Sequence, residues 1–182
     1  MEYDVIIVGA GPAGIFAALT LADSGIASVV LLEQGKVLEL RERRNPGDML
    51  CGWGGAGAFS DGKLTLSPEV GGSLGELRER GRLLQLLGQA DEVWVAHGAP
   101  TEVFGGISAK FEDLADRARL ADLELLPMRI RHIGTDNCRQ VLSRLRHSLE
   151  ERIEVRCGCR VEKLLVEAGQ VRGVRLAEGG EL

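Results

Sequence analysis

Three glycines near the start of the chain, Gly9, Gly11 and Gly14, have the spacing G-x-G-x-x-G and directly follow an apolar run. Glycines with this spacing leave backbone N–H groups uncovered, so that phosphate groups can approach them closely. Glu33 ends the next apolar run, where its carboxylate can accept hydrogen bonds from both hydroxyls of an adenosine ribose. The spacing predicts an adenine dinucleotide site, with Glu33 on the ligand side of its strand and contributing little to the core.

The elements around these residues come in the order that such a site requires. A β-branched run, Val5 to Val8, predicts a strand, and a helical pattern starts at Pro12. Proline suits the first helical position because the amide that it lacks would have no partner there. A second run, Ser28 to Leu32, predicts another strand, so the segment is interpreted as a βαβ unit. The alternative is a glycine-rich turn in an ordinary α/β protein.

A second glycine-rich segment runs from Asn45 to Thr65 and reads NPGDMLCGWGGAGAFSDGKLT. Such a segment is either flexible filler or a backbone surface that approaches a ligand. Flexible filler is usually polar and poor in aromatic residues, whereas Trp53 and Phe59 indicate a packed loop. We therefore favour a ligand surface. The charged run just before it, Arg41 to Arg44, is predicted to be a solvated helix end.

These motifs resemble known flavoproteins. The N-terminal segment is similar to FAD-binding domains of the glutathione-reductase type. The segments GWGGAGAFSDGKLTLSPEVGG and RHIGTDN resemble a bacterial family of uncharacterised FAD-dependent dehydrogenases. The resemblance extends over nearly the whole chain and implies that FAD is the cofactor.

The resemblance also implies which residues hold the cofactor. The glycine turn and Glu33 would bind its adenosine and pyrophosphate, the second glycine loop would approach the pyrophosphate or isoalloxazine, and the backbone of Val161 would meet the adenine edge. Thr135, Asp136 and Arg139 would lie near the ribityl and pyrophosphate region, unless Thr135 or Asp136 merely caps a helix. The cofactor-binding residues expected are Gly9, Ala10, Gly11, Pro12, Ala13, Gly14, Glu33, Gln34, Gly54, Gly55, Ala56, Gly57, Lys63 and Val161. No side chain is identified as a catalytic acid or base.

Composition and the N-terminal pattern give no support to several other classes of function. The 182 residues carry 22 Lys and Arg against 27 Asp and Glu, and this net charge of -5 gives no broad basic field for nucleic acid. The apolar N-terminal run lacks a basic region before it and Asp4 interrupts it, so it predicts neither a signal peptide nor a membrane span. Without a secretory signal, the four cysteines are expected to be thiols in the cytoplasm. Cys157 and Cys159 lack two further clustered ligands, so no metal site is expected.

The remaining pattern predicts the fold class α/β, a three-layer FAD/NAD(P)-binding Rossmann-like domain with an inserted α-rich lobe. Residues 1–40 and 130–182 would form the FAD-binding domain, and residues 41–129 the glycine-rich loop and the lobe. Further helices are predicted over 37–44, over 74–87 ending at Gly88, over 110–122, and through Arg152 with the apolar stripe Val141, Leu142, Leu145 and Leu149. Further strands are predicted over 123–129, 153–157, 161–167 and 171–176, the last two as a hairpin.

The preferred function is that of an FAD-dependent oxidoreductase acting on a small molecule, with NAD(P)H as a candidate electron donor. The alternatives are an NAD-dependent dehydrogenase, since Glu33 suits either adenosine ribose, and a non-catalytic nucleotide-binding module. Flavoproteins of the resembling fold continue into a strand ending A-T-G and a late G-D motif. No A-T-G and no late G-D follow the predicted hairpin in these 182 residues. The expectation is that they are the N-terminal part of a longer flavoprotein, inactive alone, of unknown oligomeric state.

Overall fold

The computed structural model describes residues 2–26 and 28–182. The chain divides into two compact units, unit 1 formed by Met1–Ser60 with Cys138–Leu182, and unit 2 formed by Asp61–Asn137. In chain order the elements are β1 (Val5–Val8), α1 (Pro12–Asp23), β2 (Val29–Glu33), α2 (Pro46–Leu50), β3 (Lys63–Thr65), α3 (Leu74–Leu77), α4 (Arg80–Ala96), α5 (Ala109–Arg119), β4 (Ile130–His132), α6 (Thr135–Glu150), β5 (Glu154–Cys157), β6 (Val161–Glu167) and β7 (Gln170–Leu176). Short 3-10 turns occupy Leu38–Leu40 and Gly55–Phe59.

A parallel sheet in the order β1-β2-β5 forms the centre of unit 1. Val5 lies opposite Val29, and Val30 lies opposite Glu154, so β2 has a partner on both sides. All five residues of β2 are buried, which explains its continuous apolar run, because a central parallel strand faces the core on both sides. Helix α1 leaves β1, packs on β1 and β2, and leads back to β2. The predicted βαβ unit and parallel sheet are confirmed.

Helix α6 contributes the apolar stripe that was predicted for it. Val141, Leu142, Leu145 and Leu149 are all buried, as their helical spacing requires. Trp53, which is 0% exposed, donates a hydrogen bond from its indole Nε1 to the carbonyl of Leu142 over 2.8 Å. The part of the second glycine-rich segment around Trp53 is therefore packed onto the core of unit 1, as its aromatic residues predicted.

The antiparallel pair β6 and β7 is the predicted hairpin. Leu164 lies opposite Val174 and Val161 lies opposite Leu176, with the turn at Ala168 and Gly169. Val174 joins Val30 and Leu32 of the parallel sheet in one buried apolar cluster. Packing against this cluster gives the hairpin a stable face, since an isolated hairpin is marginal in water.

Unit 2 contains α3, α4, α5 and the antiparallel pair β3 and β4, with Lys63 opposite His132 and Thr65 opposite Ile130. Its most buried charge is Arg131, whose Nε and Nη2 donate to the two carboxylate oxygens of Asp91 over 2.5 and 2.6 Å. Nη1 of the same guanidinium donates to the carbonyl of Pro100. This two-pronged ion pair links α4 to β4, because a planar guanidinium matches the carboxylate fork.

Three local predictions are wrong. The helix predicted over 37–44 is only the 3-10 turn Leu38–Leu40, because Arg41 turns inward to bind backbone carbonyls. The helix predicted over 74–87 is divided at Arg78 and Glu79 into α3 and α4, and α4 continues past Gly88 to Ala96, since an interior glycine costs only about 1 kcal/mol of helix stability. Residues 123–129 contain Pro127, which cannot donate to a strand ladder, and β4 begins only at Ile130. Among the described helices, none is long and apolar enough to cross a membrane.

Candidate functional site

The glycine turn between β1 and α1 presents uncovered backbone donors. Gly9 has a φ of +100°, a conformation that glycine adopts without strain, and its amide extends the ladder by donating to the carbonyl of Leu32. The first bond inside α1 runs from the Ile15 amide to the Gly11 carbonyl over 3.0 Å. The amides of Ala13 and Gly14 precede that bond, so they lie outside the helix ladder at its positive end. These are the donors that an anionic group would need.

Gly11 and Gly14 serve the turn in different ways. A Cβ atom on Gly14 would lie 1.9 Å from the carbonyl oxygen of Gly9, so a side chain there is incompatible with this turn. A Cβ atom on Gly11 would have no atom within 4 Å and would project into open space. Gly14 therefore allows the close backbone crossing, while Gly11 keeps clear the space beside the uncovered amides. This space fits the pyrophosphate of a dinucleotide.

The second glycine loop lies directly against this turn. The amide of Gly54 donates to the carbonyl of Ala10 over 2.8 Å. A Cβ atom on Gly55 would come within 3.2 Å of the Cα of Gly11. Gly55 opens the 3-10 turn in which Ala56 and Gly57 are exposed. The structure thus brings together the two glycine segments that the sequence singled out separately.

Glu33 holds both segments through its carboxylate. Its Oε2 accepts a hydrogen bond from the Ala10 amide over 2.8 Å. Its Oε1 accepts from the amides of Gly35 and Gly52 over 2.8 and 2.9 Å. Because Glu33 is only 5% exposed, the prediction that it contributes little to the core is wrong. A carboxylate offers about four acceptor positions, so about one remains for a ribose hydroxyl rather than the two that were expected.

Three other residues expected at the cofactor, Gln34, Val161 and Lys63, are divided between the two units. In unit 1, the amide group of Gln34 donates to Cys51 Sγ over 3.1 Å, and Val161 packs against the cluster around Val174. Lys63 belongs to unit 2, where its Nζ pairs with an Asp61 carboxylate oxygen at 2.7 Å and its side chain is 57% exposed.

The helix-start residues expected near the cofactor are divided in the same way. Thr135 and Asp136 are exposed at the start of α6 and belong to unit 2. Arg139, one turn further along α6, donates to the carbonyl of Leu38 over 2.8 Å in unit 1. Its guanidinium also lies 6.0 Å from the centre of the Phe59 ring. Arg139 is thus engaged with the protein itself at the base of the second glycine loop.

Arg41 is a site residue that the sequence did not reveal. The residue is 3% exposed, and its guanidinium donates to the carbonyls of Asp48 and Trp53 over 2.8 and 2.6 Å. It also lies 4.9 Å from the centre of the Phe59 ring. Burial lowers the pKa of Arg41, and the nearby carboxylates of Glu33 and Asp48 oppose that shift. The prediction of a solvated helix end is therefore wrong for this residue. Its burial left no signal in the sequence, because no hydrophobic periodicity distinguishes Arg41 from its exposed charged neighbours.

The cysteines do not suggest a reactive centre. Cys51, Cys157 and Cys159 are free thiols, and the described residues contain no group of three or more His, Cys, Asp or Glu placed to hold a metal ion. Burial raises the pKa of the Cys157 thiol to about 11. Its nucleophilic thiolate form is therefore scarce near neutral pH.

We expect Cys157 to react slowly with iodoacetamide. At pH 8 a thiol of pKa about 11 is only about 0.1% ionised, and its rate should rise about tenfold per pH unit up to pH 10. Peptide mapping by mass spectrometry measures this rate in the folded chain, with the chain in denaturant as control. Because folding disfavours the thiolate, this group's contribution to stability is also lost as the pH rises from about 9 through about 11. Equal rates for folded and denatured chains would contradict the burial of Cys157.

Residues 4–42 match the family model described as the FAD binding domain. This stretch contains β1, α1, β2 and Glu33, which are the elements that build the turn described above. The βαβ unit thus lies within the stretch that is similar to FAD binding domains, and FAD is the dinucleotide that this similarity supports.

Longer proteins resemble the whole chain. An uncharacterised protein of Clostridium beijerinckii is 30% identical over 181 residues, which cover 93% of this chain and 27% of that protein. Among solved structures, a 3-ketosteroid-delta4-(5alpha)-dehydrogenase of Rhodococcus jostii RHA1 aligns with a TM-score of 0.59 and 18% identity, over 100% of this chain and 44% of its own. A glycine oxidase of Bacillus cereus aligns with a TM-score of 0.54 and 14% identity, over 98% of this chain and 54% of its own.

At these identities the structural likeness establishes the fold, and the predicted three-layer Rossmann-like α/β class is confirmed. The chain spans about a quarter of the Clostridium protein and about half of each enzyme.

Proposed function

We propose that this chain binds FAD as part of an FAD-dependent oxidoreductase acting on a small-molecule substrate. The observation that carries the proposal is the convergence of two glycine segments and one carboxylate in unit 1. The Gly54 amide reaches the Ala10 carbonyl, and Glu33 accepts hydrogen bonds from both segments. The family match over residues 4–42 supports FAD as the dinucleotide.

The protein groups would bind and orient the cofactor. The uncovered amides of Ala13 and Gly14 would donate to the pyrophosphate, and the bare Cα of Gly11 would let it approach. The remaining acceptor position on Glu33 Oε2 would take one ribose hydroxyl. Ala56 and Gly57 would border the site from the second loop, while Gln34 and Val161 of unit 1 are assigned to it from the family resemblance. When bound, FAD supplies the chemistry of accepting hydride or electrons from the substrate.

Small-molecule substrates are supported by the names of the structural relatives, a ketosteroid dehydrogenase and a glycine oxidase. We also propose NAD(P)H as a candidate electron donor. The second candidate function is an NAD-dependent dehydrogenase, favoured by Glu33, because a carboxylate suits the adenosine ribose of either dinucleotide. The glycine loop packed on the turn weighs against it, since a plain dehydrogenase would continue into another βα unit.

We propose that the protein is cytoplasmic. The support is the free thiols of Cys51, Cys157 and Cys159, which persist in a reducing compartment.

Purification of the full-length protein tests the proposed cofactor. We expect a yellow protein with flavin absorbance that releases FAD rather than FMN on denaturation. The reason is that the glycine turn and Glu33 are proposed to bind the pyrophosphate and the adenosine ribose, which FMN lacks. The measurement is chromatography of the released flavin. A colourless protein that binds NAD and cannot be reconstituted with FAD would replace the preferred function by the second candidate.

A further inference from the structure

We propose that Glu33 is a positioning residue that fixes the loop around Gly52 against the glycine turn before any dinucleotide binds. The inference rests on the proposed function for the identity of the ligand. It adds a role in assembling the site, which acts through the backbone whether or not a ribose is present.

Three separate stretches of backbone meet at this carboxylate. Ala10 belongs to the glycine turn, Gly35 follows β2, and Gly52 opens the second loop. Each donates an N–H group to a carboxylate in a nearly buried position, and such charge-assisted hydrogen bonds are stronger than neutral ones. Removing the carboxylate would leave these N–H groups without their acceptor, so the loss would act on all three stretches at once.

The backbone approach at this crossing leaves no room for side chains. A Cβ atom on Gly35 would lie 2.4 Å from the amide nitrogen of Gly52. A Cβ atom on Gly52 would lie 2.7 Å from the carbonyl oxygen of Lys36. The next residue, Trp53, donates its amide to that same carbonyl over 3.0 Å. The loop is therefore docked on the residues that follow β2, and Glu33 lies at the crossing.

Arg41 fixes the same loop from within. It donates to the carbonyls of Asp48 and Trp53, which flank Gly52 in the chain, and it interacts electrostatically with Glu33. A buried carboxylate needs such compensation, because an unpaired charge would be costly away from water. The two side chains thus bind both kinds of backbone group in the loop. Glu33 accepts from the amide of Gly52, and Arg41 donates to the carbonyls of Asp48 and Trp53.

This arrangement links cofactor affinity to loop position. If FAD binds only when the loop is docked, the apparent dissociation constant is inversely proportional to the docked fraction, which is the fraction of molecules with the loop in place. A tenfold loss of the docked fraction then raises the dissociation constant tenfold and slows association by the same factor. A residue that only binds ribose would instead speed dissociation and leave the free protein unchanged.

Amide hydrogen exchange on the full-length protein without FAD tests the first step. Glu33→Gln keeps the volume but replaces one acceptor oxygen by an NH2 group. We expect exchange at Ala10, Gly35 and Gly52 to rise to nearly the rate of unprotected amides, as a tenfold loss of the docked fraction requires, with the β6–β7 hairpin unchanged. Glu178→Gln is the matched control, since Glu178 is exposed in the same unit. Unchanged exchange at the three amides, or an equal increase throughout unit 1, would overturn the proposal.

Gly35→Ala provides a second variant that keeps Glu33 intact. Its methyl group would push the Gly52 amide away, so we expect the same local increase in exchange at Gly52. Stopped-flow FAD binding should then show association about tenfold slower in both Glu33→Gln and Gly35→Ala. Faster dissociation alone, with unchanged exchange, would assign Glu33 to the ribose only. Local loosening in a protein that does not bind FAD would retain the positioning role and reject the proposed function.

Discussion

Gly14→Ala is expected to lower the free energy of unfolding by about 3 kcal/mol or more, because its methyl carbon would overlap the carbonyl oxygen of Gly9. The distance of 1.9 Å is far below van der Waals contact, and both partners are backbone atoms that no rotamer change can move. Helix α1 would have to shift away from the end of β1. Urea unfolding of the protein without FAD measures this loss.

Gly11→Ala is the matched control for that experiment. It adds the same methyl group to the same turn, where no atom lies within 4 Å. We expect its unfolding free energy to stay within about 1 kcal/mol of the unmodified protein, because the methyl group meets no atom and the remaining cost is that alanine is a poorer N-cap than glycine. Equal stability of the two variants would show that Gly14 and Gly9 do not approach each other as described.

Gly11→Val is expected to abolish tight FAD binding while leaving the free protein stable. Gly11 has φ −75° and ψ 178°, an extended conformation that valine adopts readily. Its side chain would project into the open space beside the amides of Ala13 and Gly14, where the pyrophosphate is proposed to lie. We expect FAD affinity to fall at least about a hundredfold, which corresponds to about 2.7 kcal/mol. Titration of the apoprotein with FAD, followed by flavin fluorescence, measures this change.

Gly75→Val is the control for Gly11→Val in this titration, because it adds the same side chain at a position far from the glycine turn in sequence. Gly75 lies in α3 of unit 2, and a Cβ atom there also meets open space. It should leave the dissociation constant for FAD unchanged. If Gly11→Val binds FAD as tightly as the unmodified protein, the turn is not the phosphate site, and the proposed function loses its structural basis.

Local pattern was sufficient to predict the first βαβ unit, the stripe of α6 and the final hairpin. Each depends on short-range periodicity, such as the spacing of Val141, Leu145 and Leu149, which one element displays by itself. The packing of the second glycine loop was also predictable, because Trp53 has no place in flexible filler.

The role of Glu33 as a backbone acceptor could not be predicted in the same way. It depends on the loop at Gly52 returning to the end of β2, which is a tertiary contact and leaves no periodic signal. The burial of Arg41 could not be predicted for the same reason, since an arginine among charged neighbours is normally solvated. Its burial follows from the carbonyls of Asp48 and Trp53, whose positions the folded loop alone determines.

The pairing of β3 with β4 has a kinetic consequence for unit 2. Pairing Thr65 with Ile130 closes a loop that contains α3, α4 and α5. The entropic free-energy cost of closing this loop is about 4 kcal/mol by the logarithmic law for flexible chains. Helices form within about a microsecond from local contacts, whereas the two strands must first find each other across the whole loop. We therefore expect the strand pair to form late in folding, after α4 and α5. Shortening the intervening chain would accelerate that step.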